Sequence, residues 1–307
     1  MSDVPLQPPF QKVAIIGLGL LGGSIGLALR DHAPGIATTG YDRDPATRVR
    51  AAERGLVGTV AEDAVKAVQD ADLVIFCVPP LAMGAAAAEC APGLRADALI
   101  SDVGSSKVAV AKALGEVLPH HTIIPAHPVA GTENSGPDAG FASLFQGRWC
   151  ILTPPESADP ARVEALSALW RAIGAKVEVM NAAHHDLVLA ITSHLPHLIA
   201  YTIVGTADDL QEVTQSEVIK YSAGGFRDFT RIAASDPTMW RDVFLSNRDA
   251  VLAMLQVFTE DLTELQKAIR LGDGDKLFDH FTRTRAIRRS IIEQGQDTAA
   301  ANFGRQG

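Results

Sequence analysis

The sequence predicts an α/β protein in which a doubly wound parallel sheet fills roughly the first 180 residues and an all-helical region follows. Two observations carry this. Short, wholly apolar runs alternate with helical stretches up to Met180, and from about Ala183 to Gln294 the strand signals stop and the periodicity becomes helical. Strands apolar on both faces belong to a parallel sheet covered by helices on each side.

The elements follow in order. Lys12-Val13-Ala14-Ile15-Ile16 reads as a strand, Leu20 to Arg30 as a helix, Ala37 to Tyr41 as a strand and Pro45 to Arg54 as a helix. Leu73 to Val78, Ala98 to Val103 and Thr122 to Pro125 are further strands, bounded by Pro, Gly or Asp and separated by Ala-rich helices. Trp149 to Leu152 and Lys176 to Met180 complete the strand-forming half. The change of class places a boundary near residue 180, giving domains 1–180 and 181–307. In the second, Val251, Leu252, Leu255, Phe258, Leu262, Leu265 and Ile269 recur at helical spacing, a core stripe that also offers a dimer seam.

Composition narrows the function classes. With 27 Lys+Arg against 36 Asp+Glu the net charge is −9, which argues against a nucleic-acid or anionic-membrane partner. Three cysteines, Cys77, Cys90 and Cys150, lack CxxC spacing, which excludes a disulfide framework and a cysteine-rich zinc site and fits a reducing, cytoplasmic compartment. No HExxH or carboxylate–histidine cluster stands at ligand spacing, so no metal site is expected. The apolar run Leu187 to Ala207 is long enough to span a bilayer, yet His194, Pro196 and His197 sit near its middle, so it reads as a buried helix.

Directly after the first strand stands Gly17-Leu18-Gly19-Leu20-Leu21-Gly22-Gly23-Ser24, and Asp42 follows 20 residues after Gly22 at the end of the second strand. Strand, GxGxxG, helix and a distal acid together form the dinucleotide fingerprint of a Rossmann-type domain. Gly17 permits the tight turn, Gly19 the approach of a pyrophosphate and Gly22 close helix–strand packing, with the phosphates at the helix start by Leu20 and Leu21. Asp42 suits a ribose 2′-hydroxyl and repels a 2′-phosphate, favouring NAD over NADP, although the adjacent Arg43 softens that preference. Val78-Pro79-Pro80 ends a strand where the chain would pass beneath the nicotinamide-side ribose, or is a plain strand terminator.

Three polar clusters remain: Ser101-Asp102-Val103-Gly104-Ser105-Ser106-Lys107 at a strand's carboxyl end, His127 to Gly136 after the next strand, and Ser193-His194-Leu195-Pro196-His197 together with Gly224 to Ala233. A histidine at a strand end beside a nicotinamide site is a candidate base for the hydroxyl proton released as hydride leaves the same carbon. Arginine suits a carboxylate. Carried by GLGLLGGS, SDVGSSK, HPVAGTENSG, SHLPH and GFRDFTRIAASDPTMW, the chain from about Lys12 to Gln294 closely resembles the prephenate/arogenate (cyclohexadienyl) dehydrogenases of tyrosine biosynthesis.

The resemblance implies a nucleotide-binding domain joined to a helical domain that forms a homodimer. It also implies NAD(P)+-dependent oxidation of a cyclohexadienyl ring hydroxyl with loss of the ring carboxylate as CO2, yielding 4-hydroxyphenylpyruvate from prephenate or tyrosine from arogenate. By motif, His127 resembles the catalytic base and Ser105 the serine that contacts the same hydroxyl and orients the histidine. Arg231 resembles the anchor of a substrate carboxylate. His197, His185 and the aromatic Trp240 resemble substrate-pocket residues, and Glu133 occupies the position that shapes the pocket and its response to tyrosine, a potential inhibitor. Two alternatives compete: a β-hydroxyacid-type dehydrogenase, which would leave HPVAG and FTRIA unexplained, and a non-catalytic NAD-binding sensor, which would not need His127, Ser105 and Arg231 together.

Overall fold

The structure, a computed structural model, describes residues 10–132, 134–209 and 224–293. The chain forms two compact units, the first ending at Val251 and the second beginning at Leu252.

In the first unit a six-stranded sheet has the order β3-β2-β1-β4-β5-β6, all parallel, with β1 Lys12–Ile16, β2 Ala37–Tyr41, β3 Thr59–Val60, β4 Leu73–Phe76, β5 Leu99–Asp102 and β6 Thr122–Ile123. The alternation of side chains along a strand explains why its sequence is apolar throughout. Val13, Ile15, Leu73, Ile75 and Leu99 belong to one buried cluster, which also holds Ile25 and Leu29 of helix α1 (Leu20–His32). Ala14, Ile16, Val74, Phe76 and Ile100 belong to a second cluster with Met83 and Cys90 of α4 (Met83–Cys90) and Val110 and Leu114 of α5 (Val108–Val117). Helices α2 (Pro45–Glu53) and α3 (Ala64–Val68) complete the layers, each started by an aspartate whose carboxylate accepts first-turn amides, Asp44 and Asp63. Strand order reverses between β1 and β4, so the crevice beyond their carboxyl ends is the place for a ligand.

One departure from the sequence reading bears on the site. The strand expected over Thr122 to Pro125 stops at Ile123 (β6), and a further strand not anticipated, β7 (Ala126–Pro128), joins a separate three-stranded sheet with β8 (Trp149–Leu152) and β9 (Lys176–Val179). β7 pairs antiparallel with β8, and β8 parallel with β9. Pro125 and Pro128 have no N–H for a ladder, and the buried side chains of Asp102 and Lys107 engage Ala126, the amide to Asp102 Oδ1 at 3.3 Å and the carbonyl from Lys107 Nζ at 2.6 Å. His127 thereby leaves the parallel sheet and stands opposite Ile151 on β8.

After α6 (Pro160–Ala172) and β9 the unit is helical: α7 (Ala182–Leu189), a π-helical turn Ala190–His194, α8 (Leu195–Asp209), and then Gly224–Thr230 and Pro237–Ser246. Segment 182–209 is long and apolar enough by length and composition to cross a membrane, but it is not the buried helix expected from sequence: only 28% of its most apolar window is buried. Leu187, Ile191, Ile203 and Val204 are exposed, whereas its polar residues His185, Asp186 and His194 are buried. The second unit comprises two helical stretches, the greater part of Arg248–Leu271 and Gly274–Glu293, linked by a turn with Gly272 at φ +67°. The stripe expected as core or dimer seam is covered only in part, with Val251 buried and Leu255, Phe258 and Leu265 half-buried. Leu252, Leu262 and Ile269 are each more than half exposed, because the apolar face of a single amphipathic helix is buried only when another element lies against it.

Candidate active site

At the carboxyl end of β1 the chain turns at Gly17, whose φ of +100° is open to glycine and strained for other residues. A Cβ there would lie 2.5 Å from the Cys77 carbonyl oxygen and 3.1 Å from Val78 Cγ1, which seats the Val78-Pro79 strand end against the loop. A Cβ on Gly22 would lie 1.9 Å from the Gly17 carbonyl oxygen, so helix α1 starts as close to the strand as backbone atoms allow. The Asp42 carboxylate accepts the amides of Leu18 and Asp44, both at 2.9 Å, bracing the glycine turn against β2. Each of its oxygens keeps a lone pair for further hydroxyl donors. Arg43 is exposed, and its carbonyl is held by Arg48.

This arrangement fits a bound dinucleotide. Nothing lies within 4 Å of a Cβ placed on Gly19, and the 13-residue helix it starts has no side-chain cap. The amides around Leu20 and Leu21, at the positive end of a helix, are therefore the groups that would hold a pyrophosphate.

The second part of the site is a row of buried polar side chains that begins at the end of β5. Lys107, fully buried, reaches back to Asp102 Oδ2 at 2.5 Å. Burial pushes the aspartate's pKa up and the lysine's down, and their mutual contact opposes both shifts. On α7, Asp186 accepts the amides of Lys107 at 2.7 Å and Val108 at 2.9 Å, capping α5 from a distant part of the chain. Its Oδ1 also lies 2.9 Å from His185 Nδ1, and His185 Nε2 lies 2.8 Å from His127 Nδ1. His127 is 8% exposed, and its Nε2 makes no hydrogen bond among the described residues. Burial, reinforced by the neighbouring His185, Lys107 and His194, holds its pKa well below the usual histidine value.

The row continues through His194, in the π-helical turn. Asn247, buried at the end of Pro237–Ser246, donates to the Asp186 carbonyl at 2.8 Å and meets His194 Nδ1 at 3.1 Å. Burial lowers the His194 pKa to about 4. His194 meets the Trp240 ring edge-on, and His197 stacks on the same indole with centroids 3.6 Å apart. His197, its Nδ1 at 2.9 Å from the Ser193 carbonyl, is pushed down mainly by burial and also by the charge of Arg231. Ser105 is half-buried in the loop between β5 and α5, and its backbone neighbours His194.

Of the residues singled out from sequence, the structure brings His127 and His185 into direct contact and gathers His197, Trp240 and Arg231 into a second group. His185 is fully buried, with one ring nitrogen against Asp186 and the other against His127. Glu133 lies outside the described residues. Asp186 and Asn247 were not anticipated. Asp186 directly follows His185, but nothing in the sequence shows that its carboxylate reaches the start of α5, about 79 positions away in the chain.

Two family profiles match the chain: "Prephenate dehydrogenase, nucleotide-binding domain" over residues 25–179 and "Prephenate dehydrogenase, dimerization domain" over residues 181–283. The chain is 45% identical over 282 residues to a cyclohexadienyl dehydrogenase of Zymomonas mobilis, covering 92% of this chain and 96% of that one. It is 33% identical to the prephenate dehydrogenase of Bacillus subtilis over 90% of this chain and 75% of that one. Among solved structures, prephenate dehydrogenase from A. aeolicus in complex with hydroxyphenyl propionate and NAD+ superposes with a TM-score of 0.84 at 32% identity, covering 92% and 98% of the two chains. Synechocystis arogenate dehydrogenase superposes with a TM-score of 0.77 at 27% identity, covering 92% and 100%. With the glycine turn, the Asp42 brace and the buried histidine row in place, the chain belongs to the prephenate dehydrogenase family of oxidoreductases.

Proposed function

We propose that this protein is a cytoplasmic, homodimeric, NAD-dependent dehydrogenase that oxidatively decarboxylates prephenate, arogenate or both on the route to tyrosine. The observation that carries the reading is His127: buried, its pKa held well below the usual histidine value, its Nε2 making no hydrogen bond among the described residues, and its neighbour Ala126 bound to Asp102 at the carboxyl end of β5. The Zymomonas and Synechocystis relatives, named for cyclohexadienyl and arogenate dehydrogenase, support keeping both substrates. NAD over NADP rests on the Asp42 carboxylate at the ribose end of the fingerprint. The two family matches, which meet between residues 179 and 181, support residues 1–180 as the nucleotide-binding part and 181–307 as the substrate and dimerisation part.

When bound, the nicotinamide supplies the hydride acceptor. The chain's residues do the rest. The turn formed by Gly17, Gly19 and Gly22 with the amides of Leu20 and Leu21 would hold the phosphates, Asp42 the ribose, and Val78 and Pro79 would support the nicotinamide end. His127 Nε2 takes the proton of the ring hydroxyl as the carbon–hydrogen bond breaks, and Ser105 contacts the same hydroxyl and orients the histidine. Arg231 anchors a substrate carboxylate, with His197 and Trp240 shaping the pocket beside it, and Glu133 is assigned to the pocket and its response to tyrosine by its motif alone. Loss of CO2 aromatises the ring and drives the reaction, so positioning and one proton acceptor suffice.

The test is a single assay: protein with NAD+ and prephenate, then with arogenate, followed by NADH absorbance. NADH with either substrate is expected. None with both, from a folded protein that binds NAD+, would defeat the assignment.

A further inference from the structure

The geometry points to a further functional unit inside the site: Asp186 and His185 act as positioning residues that fix the tautomer of His127 and share the positive charge it acquires. This rests on the reading of His127 as the base.

The argument is one of donors and acceptors. Asp186 is an acceptor in each of its side-chain contacts, with the amides of Lys107 and Val108 both donating to it. An ionised carboxylate has no proton to give, so the third contact, at 2.9 Å, requires His185 Nδ1 to carry the hydrogen. A neutral imidazole with its proton on Nδ1 presents a lone pair at Nε2. His127 Nδ1, 2.8 Å away, must then be the donor in that bond. The lone pair of His127 is thereby placed on Nε2, the nitrogen that no other described residue engages. The centroid separation of 5.0 Å fits a hydrogen bond between in-plane ring nitrogens.

The chain of bonds also explains how charge is accommodated. When Nε2 takes the substrate's hydroxyl proton, His127 becomes an imidazolium, and its Nδ1–H remains hydrogen-bonded to His185 Nε2. Transfer of that Nδ1 proton to His185 would leave His127 neutral and His185 as the cation, in direct contact with the Asp186 carboxylate. No proton is created or lost in either arrangement. The other titratable groups around His127 are Lys107 and Asp102 at the end of β5, His194 in the π-helical turn and Cys150 on β8. Lys107 and His194 disfavour the cation, so Asp186 is the anion whose hydrogen bonds lead to it. Asp186 is held on three sides: by two backbone amides, by His185 and, at its carbonyl, by Asn247. A residue so fixed imposes its direction on the next.

The proposal is tested first without turnover. In 15N-labelled full-length protein at neutral pH, long-range 1H–15N imidazole correlations should show His127 protonated at Nδ1, with His127→Asn used to assign the signal. In His185→Phe they should show a shift toward the Nε2–H form. Activity then separates positioning from packing. His185→Phe should lose on the order of 10²-fold or more in kcat with KM little changed, and the acid limb of its kcat profile should move. His185→Gln, whose amide oxygen can still accept from His127 Nδ1–H, should recover a large part of that loss. An Nε2–H tautomer of His127 in the unmodified protein would overturn the proposal. So would a His185→Phe enzyme with unchanged kcat and pH profile. If that variant does not fold, the tautomer in the unmodified protein decides. Full turnover by His127→Asn would instead overturn the assignment of the base itself.

Discussion

His127, the proposed base, illustrates how position tunes a side chain. A free histidine titrates near 6.5, and taking the ring out of water disfavours its charged form. Burial, with His185, Lys107 and His194 nearby, does this to His127. The sign follows: the protonated ring cannot accept the substrate proton, so kcat falls as pH falls through a pKa below 6.5 and is insensitive to this group at neutral pH. A kcat profile against pH checks it. His127→Asn should cut kcat by about 10²–10⁴-fold while leaving KM close to normal. Lys107 is a second case. Its ammonium is enclosed with the Asp102 carboxylate, and truncating either partner strands a charge in the core. Lys107→Ala should destabilise the fold by roughly 3–5 kcal/mol, read from denaturant unfolding. The sequence made His127, Ser105 and Arg231 visible through their motifs. It did not make Asp186 visible, because a carboxylate on an apolar helix has the same local signature whether it faces solvent or caps another helix.

At the level of elements, the glycine turn separates two kinds of glycine that look alike in a GxGxxG pattern. Gly22→Ala drives a Cβ into the Gly17 carbonyl and should lower the melting temperature. Gly19→Ala meets open space in the folded chain, so its melting temperature should stay near normal while NAD+ binding weakens, measured by calorimetric titration. The π-helical turn Ala190–His194 makes a different prediction. His194 is buried, its Nδ1 meets Asn247, and the backbone of Ser105 lies beside its ring. A folded-state pKa of about 4 against about 6.5 unfolded means the unfolded chain binds the proton first. The stability this confers is complete above pH 6.5 and lost as pH falls toward 4, about 3 kcal/mol in all. His194→Gln should flatten that dependence in urea unfolding at successive pH values. Alternating strands and helices were legible because β1, β4 and β5 are apolar on both faces. The switch of β7 into a second sheet was not, since Pro125 and Pro128 mark a break without saying where the chain goes next.

For the whole molecule, the exposed apolar residues of Arg248–Leu271, among them Leu252, Leu262 and Ile269, and those of segment 182–209 are what a homodimer would cover. Sedimentation should give a dimer at micromolar concentration, and Leu262→Glu should shift it toward monomer. A monomeric protein with full activity would contradict the dimer. Net charge of −9 leaves attraction for an anionic substrate to local cations such as Arg231. The sequence alone determined the doubly wound class and the dinucleotide fingerprint, and it singled out Asp42 and His127 as candidates for cofactor preference and for the base. Periodicity, glycine placement and motif spacing are properties of neighbouring residues, and those are written along the chain. Only the tertiary structure decided that His127 meets His185 through Nδ1, leaving Nε2 without a hydrogen bond among the described residues. It alone decided that Asp186 ties α7 to the start of α5, because hydrogen-bond direction depends on which groups from distant segments meet.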